Sequence, residues 1–454
     1  MAKEHRGFLR RYLGLAIPIS FQFLMWAIVP ACDAFMLGRV GQDAMAAVSL
    51  ASQVPFIMYM LVAAFSVGVS VLGAQYYGKG DDESIGKVFR IGVKFTGVIS
   101  GLFGLVAILR PQFFMSILTN EPALKSIGCG YLGIAGFSYL LVGVLTTYHN
   151  VLKAAGHTRM SVGISIGTAV VNVVLNAVFI YGLGLSRPMG ANGAALATVL
   201  AISLEGAAVW IVSRRRGFIR PRWRRIFERY PELTKDYLKC ALPILGAYTC
   251  WGMGLATYTA IFGHLGSDAA AANAVTTVVR DLLCCLCEGG AAAASIVVGH
   301  ELGKGNLERG RIFGAKVVRI SIVLGIGCSV ATLIALPIVQ RCVILNEAAS
   351  GYLTGMMIVL AVYQFGRYVN TVTIAGVFTG GGDTAFDFYS LAATMWGLAV
   401  PMAILGAFAF HWPVALVFAC TCIDEVGKLP WTYLHYRKYL WVKDLTRETE
   451  KYED

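Results

Sequence analysis

Long apolar runs, each closed by a charged or Gly/Pro-rich break, fill this chain from residue 12 to residue 437. A bilayer core takes roughly 20 apolar residues of helix. The breaks mark out twelve such helices, predicted over 12–35, 46–75, 89–109, 127–150, 160–182 and 191–213, then 237–262, 270–299, 313–336, 351–377, 386–410 and 413–437. Lipid offers backbone N–H and C=O groups no partner, so an all-α integral membrane fold is expected.

The pattern is written twice. Pro18 returns as Pro243, Gly38 as Gly263, Asp43 as Asp268, and the Gly78-Lys79-Gly80 turn as Gly303-Lys304-Gly305, always 225 positions on. The halves hold six helices each. Six is even, so both copies enter the membrane from the same side and form a parallel repeat. The expected organisation is an N-terminal six-helix lobe over 1–213, a basic linker over 214–236 and a C-terminal six-helix lobe over 237–454. The meeting place of two such bundles is where transporters hold cargo, in a cavity whose opening alternates.

Charge adds an orientation. Of the 454 residues 57% are hydrophobic and 14% charged, against about 25% charged in soluble proteins. Lys and Arg crowd one set of loops: Lys3, Arg6, Arg10 and Arg11; Lys79 and Lys87; Lys153 and Arg159; Arg214, Arg215 and Arg216 with the arginines up to Arg229; Lys304, Arg309 and Arg311; and Arg437 onward. The opposite loops hold Arg39, Arg110, Lys125, Arg187 and Arg341. The positive-inside rule then puts both termini in the cytoplasm and the protein in the cell membrane as a multi-pass chain. The net charge of +12 is matched to anionic lipid, and no basic soluble domain remains for nucleic acid. The apolar run after Arg11 lacks a small-residue cleavage site and reads as the first membrane helix, not a signal peptide. The eleven cysteines fall almost wholly inside helices without CxxC spacing, which suits packing and not a metal site. A monomer is expected.

Few residues carry chemistry. Gly73, Gly78, Lys79 and Gly80 nearly spell a phosphate-binding loop, but no Ser or Thr follows the lysine and no strand precedes it. They read instead as a helix end and a glycine turn. Asp33 stands in the outer half of the first helix, and an ionisable group at that depth is a functional candidate. An acid whose surroundings change as the lobes rock takes up and releases a proton or sodium; exposure at the helix end is the plainer alternative. Asn172 and Asn176 share a helical face and either complete an ion site or bond neighbouring helices; Thr198 would add a hydroxyl. The repeat places opposite Asp33 and Asn172 are Tyr258 and Leu398, so this set belongs to one half. The second half carries Arg280, Asp281, Glu288, Arg367, Asp424, Glu425 and Lys428. Asp424 and Lys428, four apart, are expected to neutralise each other, and Arg280 and Asp281 to face different ways. Glu205 is buried without an assigned role. The cavity lining falls on Gln22, Trp26, Tyr248, Trp251, Arg280, Glu288 and Arg367, among aromatic and methionine side chains suited to flat or cationic molecules. Pro18 is placed to bend the first helix.

These residues resemble the multidrug and toxic compound extrusion (MATE) family, within the larger group of multidrug, lipid-linked oligosaccharide and polysaccharide exporters. The resemblance covers nearly the whole chain. It rests on Pro18 with the run Asp33 to Gly38, Gly73 with Gln75 and Gly78, and Gly156-His157-Thr158. It continues through Asn172 with Asn176, Gly190 through Thr198, Leu242-Pro243 and Gly380 through Thr384. It implies a twelve-helix antiporter that expels organic, often cationic compounds for protons or sodium, needing no cofactor and performing no enzymatic step. It places ion coupling on Asp33, Asn172, Asn176 and Thr198, with sodium, if any metal, at the first three. There are departures: the NorM-type glutamate of the seventh helix is here Trp251, and Arg280 is similar to the DinF-like branch. A flippase for lipid-linked precursors is the alternative; it calls for a strongly basic cavity.

Overall fold

The computed structural model describes residues 2–182, 188–215, 225–343 and 345–447, with side chains from Gly7 onward. The described residues are mainly helical, with no strand among them. In chain order the helices are α1 (Ala2–Gly38), α2 (Gln42–Ala51), α3 (Gln53–Lys79), α4 (Asp82–Leu109), α5 (Pro111–Leu118), α6 (Pro122–Ala154), α7 (Thr158–Tyr181), α8 (Ala191–Ser213), α9 (Pro231–His264) and α10 (Ser267–Gly303). There follow α11 (Leu307–Cys342), α12 (Glu347–Thr371), α13 (Ala385–Leu391), α14 (Val400–Ile404), α15 (Val414–Val426) and α16 (Leu429–Arg437). Among the described residues eleven helical stretches are long and apolar enough to cross a bilayer. The remaining expected span, 413–437, is occupied by α15 followed by α16. The all-α membrane fold expected from the sequence is the fold observed.

Helix ends follow local chemistry. Asp81 caps α4, its carboxylate accepting from Ser84 N–H at 2.9 Å, and Asn346 caps α12 through Ala349 N–H at 2.8 Å. Proline opens α5, α6 and α16, where its missing N–H costs nothing. Gly182 closes α7 at φ 72°, a conformation that favours glycine.

Five features depart from the expected spans. Helix α5 lies in a stretch read as loop. The second span divides at Ser52 into α2 and α3. The last span breaks after Val426, because Gly427 weakens the helix and Pro430 cannot donate to it. Three π-helical stretches, Val372–Phe378, Ala392–Ala399 and Leu405–Ala409, widen the tenth and eleventh spans. Helix α9 starts at Pro231, inside the expected linker; residues 216–224 of that linker lie outside the described residues.

Packing groups the chain into two units. One comprises Met1–Phe21, Gly78–Gly80 and Leu242–Thr446; the other comprises Gln22–Tyr77, Asp81–Ala241 and the residues from Arg447. Two helices therefore change company along their length, and each does so close to a repeat-related proline. Helix α1 passes over at Phe21, just after Pro18, and α9 passes over at Ala241, just before Pro243. In the first unit the early part of α1 is fastened to α10: Tyr12 O–H donates to Gly290 C=O at 3.2 Å and Ser20 O–H to Leu286 C=O at 3.4 Å. In the second, the early part of α9 is fastened to α3, where Tyr237 O–H donates to Phe65 C=O at 2.8 Å. A Cβ on Gly68 would sit 3.0 Å from Ala241 Cβ; small residues let these two backbones approach.

Candidate functional site

The second unit draws four of the predicted residues together. Asn172 and Asn176 lie one turn apart on α7, both buried, Asn176 fully. Asn176 Nδ2 donates to Asp33 Oδ1 of α1 at 2.5 Å and to Asn172 Oδ1 at 3.2 Å. Asn172 Nδ2 in turn donates to Thr198 Oγ1 of α8 at 3.3 Å, and that hydroxyl donates to Ala194 C=O at 3.0 Å. The result is a hydrogen-bonded file from the half-buried Asp33 through two amides to a hydroxyl. Asn176 Oδ1 is buried without a hydrogen-bond partner, and a buried acceptor of this kind calls for an explanation.

Helix α1 meets α7 in a fixed register. Gln22 Nε2 donates to Ser165 Oγ at 2.7 Å, about three turns before the Asp33–Asn176 contact on both helices. Tyr181 O–H donates to Met36 C=O at 2.9 Å just beyond it. Helix α1 is continuous through both Pro18 and Pro30. Gln22, expected to line the cavity, is instead 1% exposed and committed to Ser165. Ser165 and Tyr181 escaped the sequence reading, since lone hydroxyl residues are common in membrane helices. The i, i+7 spacing of Ser165 to Asn172, two turns along the same face of α7, was the available signal.

The first unit holds a second polar cluster. Arg367 on α12 donates from NH1 to Glu425 Oε1 at 2.9 Å and from NH2 to Glu288 Oε1 of α10 at 3.1 Å. Its guanidinium carbon lies 5.9 Å from the Trp251 ring centre. Asn370, one turn further on α12, donates to Glu425 Oε2 at 2.9 Å and to its C=O at 2.6 Å. One expectation is corrected here. Lys428 pairs with Glu425 Oε2 at 3.8 Å, not with Asp424, because the break between α15 and α16 removes the regular four-residue spacing. Asp424 keeps a buried Oδ1 with no hydrogen bond. The Arg280 side chain is 18% exposed and that of Asp281 56%, and Arg280 Nε donates to Asp281 Oδ1 at 3.0 Å, the long guanidinium arm reaching round the helix.

Of the seven residues assigned to a cavity, five fall in the first unit and two, Gln22 and Trp26, in the second. Glu288, Arg367 and Trp251 meet in the first unit, with Arg280 bound to its neighbour. Trp26, in the second unit, stands edge-on to Phe23 and Tyr59, with centroid separations of 5.4 and 5.5 Å. Tyr248 is half-buried on α9.

Known proteins share this arrangement of helices. The MatE family model matches residues 18–178 and 243–405, one stretch in each repeat. The uncharacterized transporter YisQ of Bacillus subtilis is 20% identical over 438 residues, covering 94% of each chain. The multidrug resistance protein PmpM of Pseudomonas aeruginosa is 27% identical over 87% of this chain and 83% of its own. The crystal structure of the Vibrio cholerae MATE transporter VcmN in the bent form superposes with a TM-score of 0.85 at 17% identity, over 96% of this chain and 98% of that one.

Proposed function

Since the chain belongs to the MatE family of membrane transporters, we propose that it extrudes small organic compounds in exchange for protons carried by Asp33. It is a transporter and not an enzyme. Relatives named as multidrug resistance proteins support the cargo class. The observation that carries the coupling is the Asn176 Nδ2 contact to Asp33 Oδ1 at 2.5 Å, beside the unpartnered Asn176 Oδ1. A carboxylate accepts from the amide N–H; a protonated carboxyl has a hydrogen to give and needs an acceptor, which the neighbouring carbonyl oxygen supplies. The two protonation states of Asp33 therefore ask for different hydrogen bonds from α7, and α1 carries that difference along its length.

The cycle runs as follows. Protonation of Asp33 from outside lets α1 pack on Asn172 and Asn176 and releases cargo outward; deprotonation toward the cytoplasm restores the cargo-binding form. The membrane potential adds about 2.3 kcal/mol per charge per 100 mV, enough for a tenfold or larger cargo gradient. A single carboxylate among neutral amides and one hydroxyl favours the proton over sodium. The basic loops support cytoplasmic termini in the cell membrane. The DinF-like affinity rests on Arg280 and on Trp251 replacing an acid. The flippase reading needs basic residues available for pyrophosphate, whereas Arg280, Arg367 and Lys428 are each tied to a carboxylate. Ethidium efflux, measured with proton and sodium gradients imposed separately, tests the proposal. Asp33→Asn should insert normally and lose proton-driven efflux, and normal efflux by that variant refutes the role.

A further inference from the structure

The unit that holds Asp33 also sets a histidine between a hydroxyl and a carboxylate, on three different helices. His149 of α6 is buried, with Nδ1 2.9 Å from Ser161 Oγ of α7 and Nε2 2.9 Å from Glu205 Oε1 of α8. Ser161 is fully buried, so the trio offers no accessible nucleophile. Ionisable groups are costly to keep in membrane helices and mark proton relays and ion pathways; Asp33 and its amides leave this pair unused.

Helix α7 joins the two places. Ser161, Ser165, Thr168, Asn172 and Asn176 follow one another at three- or four-residue steps and so share one face. At one end of this face stands His149, and at the other Asn176 donates to Asp33. Ser165 accepts from Gln22, and Thr168 Oγ1 donates to Ile164 C=O at 3.1 Å. From Ser161 to Asn176 is about 22 Å of helix. Successive side chains on such a face stand about 5–6 Å apart, a gap that one bridging water spans.

The other charged groups near α6 are accounted for. Lys153 lies one turn beyond His149 on the same helix. On α4, which packs against α6 through Thr96 and Thr147 (2.9 Å), Lys87 pairs with Glu83, Arg90 donates to Tyr230 O–H, and Lys94 donates to Glu228 C=O. Glu205 is the acid that meets His149 among the described residues.

We propose that His149 and Glu205 form a second proton-exchange site, which takes protons leaving Asp33 along the polar face of α7 and passes them to the end of the unit marked by Lys153 and Arg159. A proton arriving from Ser161 is taken at Nδ1 while the Nε2 proton goes to Glu205. The imidazole stays neutral and changes tautomer, and Glu205 then discharges. This inference rests on the reading of Asp33 as the proton carrier.

Purified protein in liposomes, with ethidium as the probe, separates the possibilities. Two rates are read: transport driven by a pH gradient, and ethidium-for-ethidium exchange with no gradient, which needs no proton transfer. His149→Gln and Glu205→Gln should slow gradient-driven transport about tenfold or more while exchange proceeds at the wild-type rate, and Glu205→Asp should recover part of the loss. Wild-type gradient-driven rates in both variants overturn the inference. So does loss of both rates together, which marks a merely structural trio. Asp33→Asn in the same assay keeps the two readings apart. If it transports normally, the Asp33 assignment fails; if it is inactive while His149→Gln and Glu205→Gln are normal, only the relay fails.

Discussion

Glu425 is 2% exposed and answers to Arg367, Lys428 and Asn370 together. Taking it away removes the ion pair of the buried Lys428 and leaves Arg367 with Glu288 alone, and breaking a buried pair from one side costs about 3–5 kcal/mol. Glu425→Ala should therefore lower the detergent unfolding midpoint well below that of wild type. Asp424→Ala, which removes an acid with no hydrogen bond at Oδ1, should lower it far less. A thermal melt of the three purified proteins checks this. At this scale the sequence was a partial guide. The file of Asp33, Asn176, Asn172 and Thr198 could be anticipated because a lone acid in an apolar run is conspicuous and the two asparagines are one turn apart. The pairing of Arg367 with Glu425 and Glu288 joins helices far apart in the chain, and no local spacing announces it.

Glycine decides how closely helices can approach, and so whether side chains on neighbouring helices reach each other. A Cβ on Gly193 would lie 2.6 Å from Phe179 C=O, so α8 presses backbone to backbone against the end of α7. Gly193→Ala should push the two apart, lengthen the Asn172–Thr198 contact of 3.3 Å past hydrogen-bond range, and cost about 1–3 kcal/mol as overpacking does. Proton-driven ethidium efflux and the unfolding midpoint should fall together in that variant, and an unchanged rate would show that Thr198 is dispensable. Element positions were readable from hydropathy, since most long helices contain their expected span and α7 ends one residue short of its own. Their interruptions were less so. The break before α16 had a signal in Gly427 and Pro430, whereas the π-helical stretches contain ordinary apolar residues whose extra residue per turn is set by what they pack against.

For the whole molecule, the duplicated sequence and the basic loops make a joint statement about topology. Cys342 ends α11 and is the exposed thiol among the described cysteines. Loop charge assigns that end to the outer face, so a membrane-impermeant maleimide should label intact cells at Cys342, and Cys342→Ser should abolish the label. Labelling that requires opened cells would reverse the orientation. The sequence by itself determined the solvent the chain lives in, the helical spans and the repeat. These follow from composition and periodicity, which act residue by residue along the chain. Only the tertiary structure decided that α1 and α9 each serve two packing units, that Lys428 answers Glu425, and that His149 stands between Ser161 and Glu205. Apart from the Lys428–Glu425 pair, which the helix break after Val426 sets locally, those are meetings of residues on different helices, fixed by which helix faces can close to hydrogen-bonding distance, and hydropathy carries no record of them.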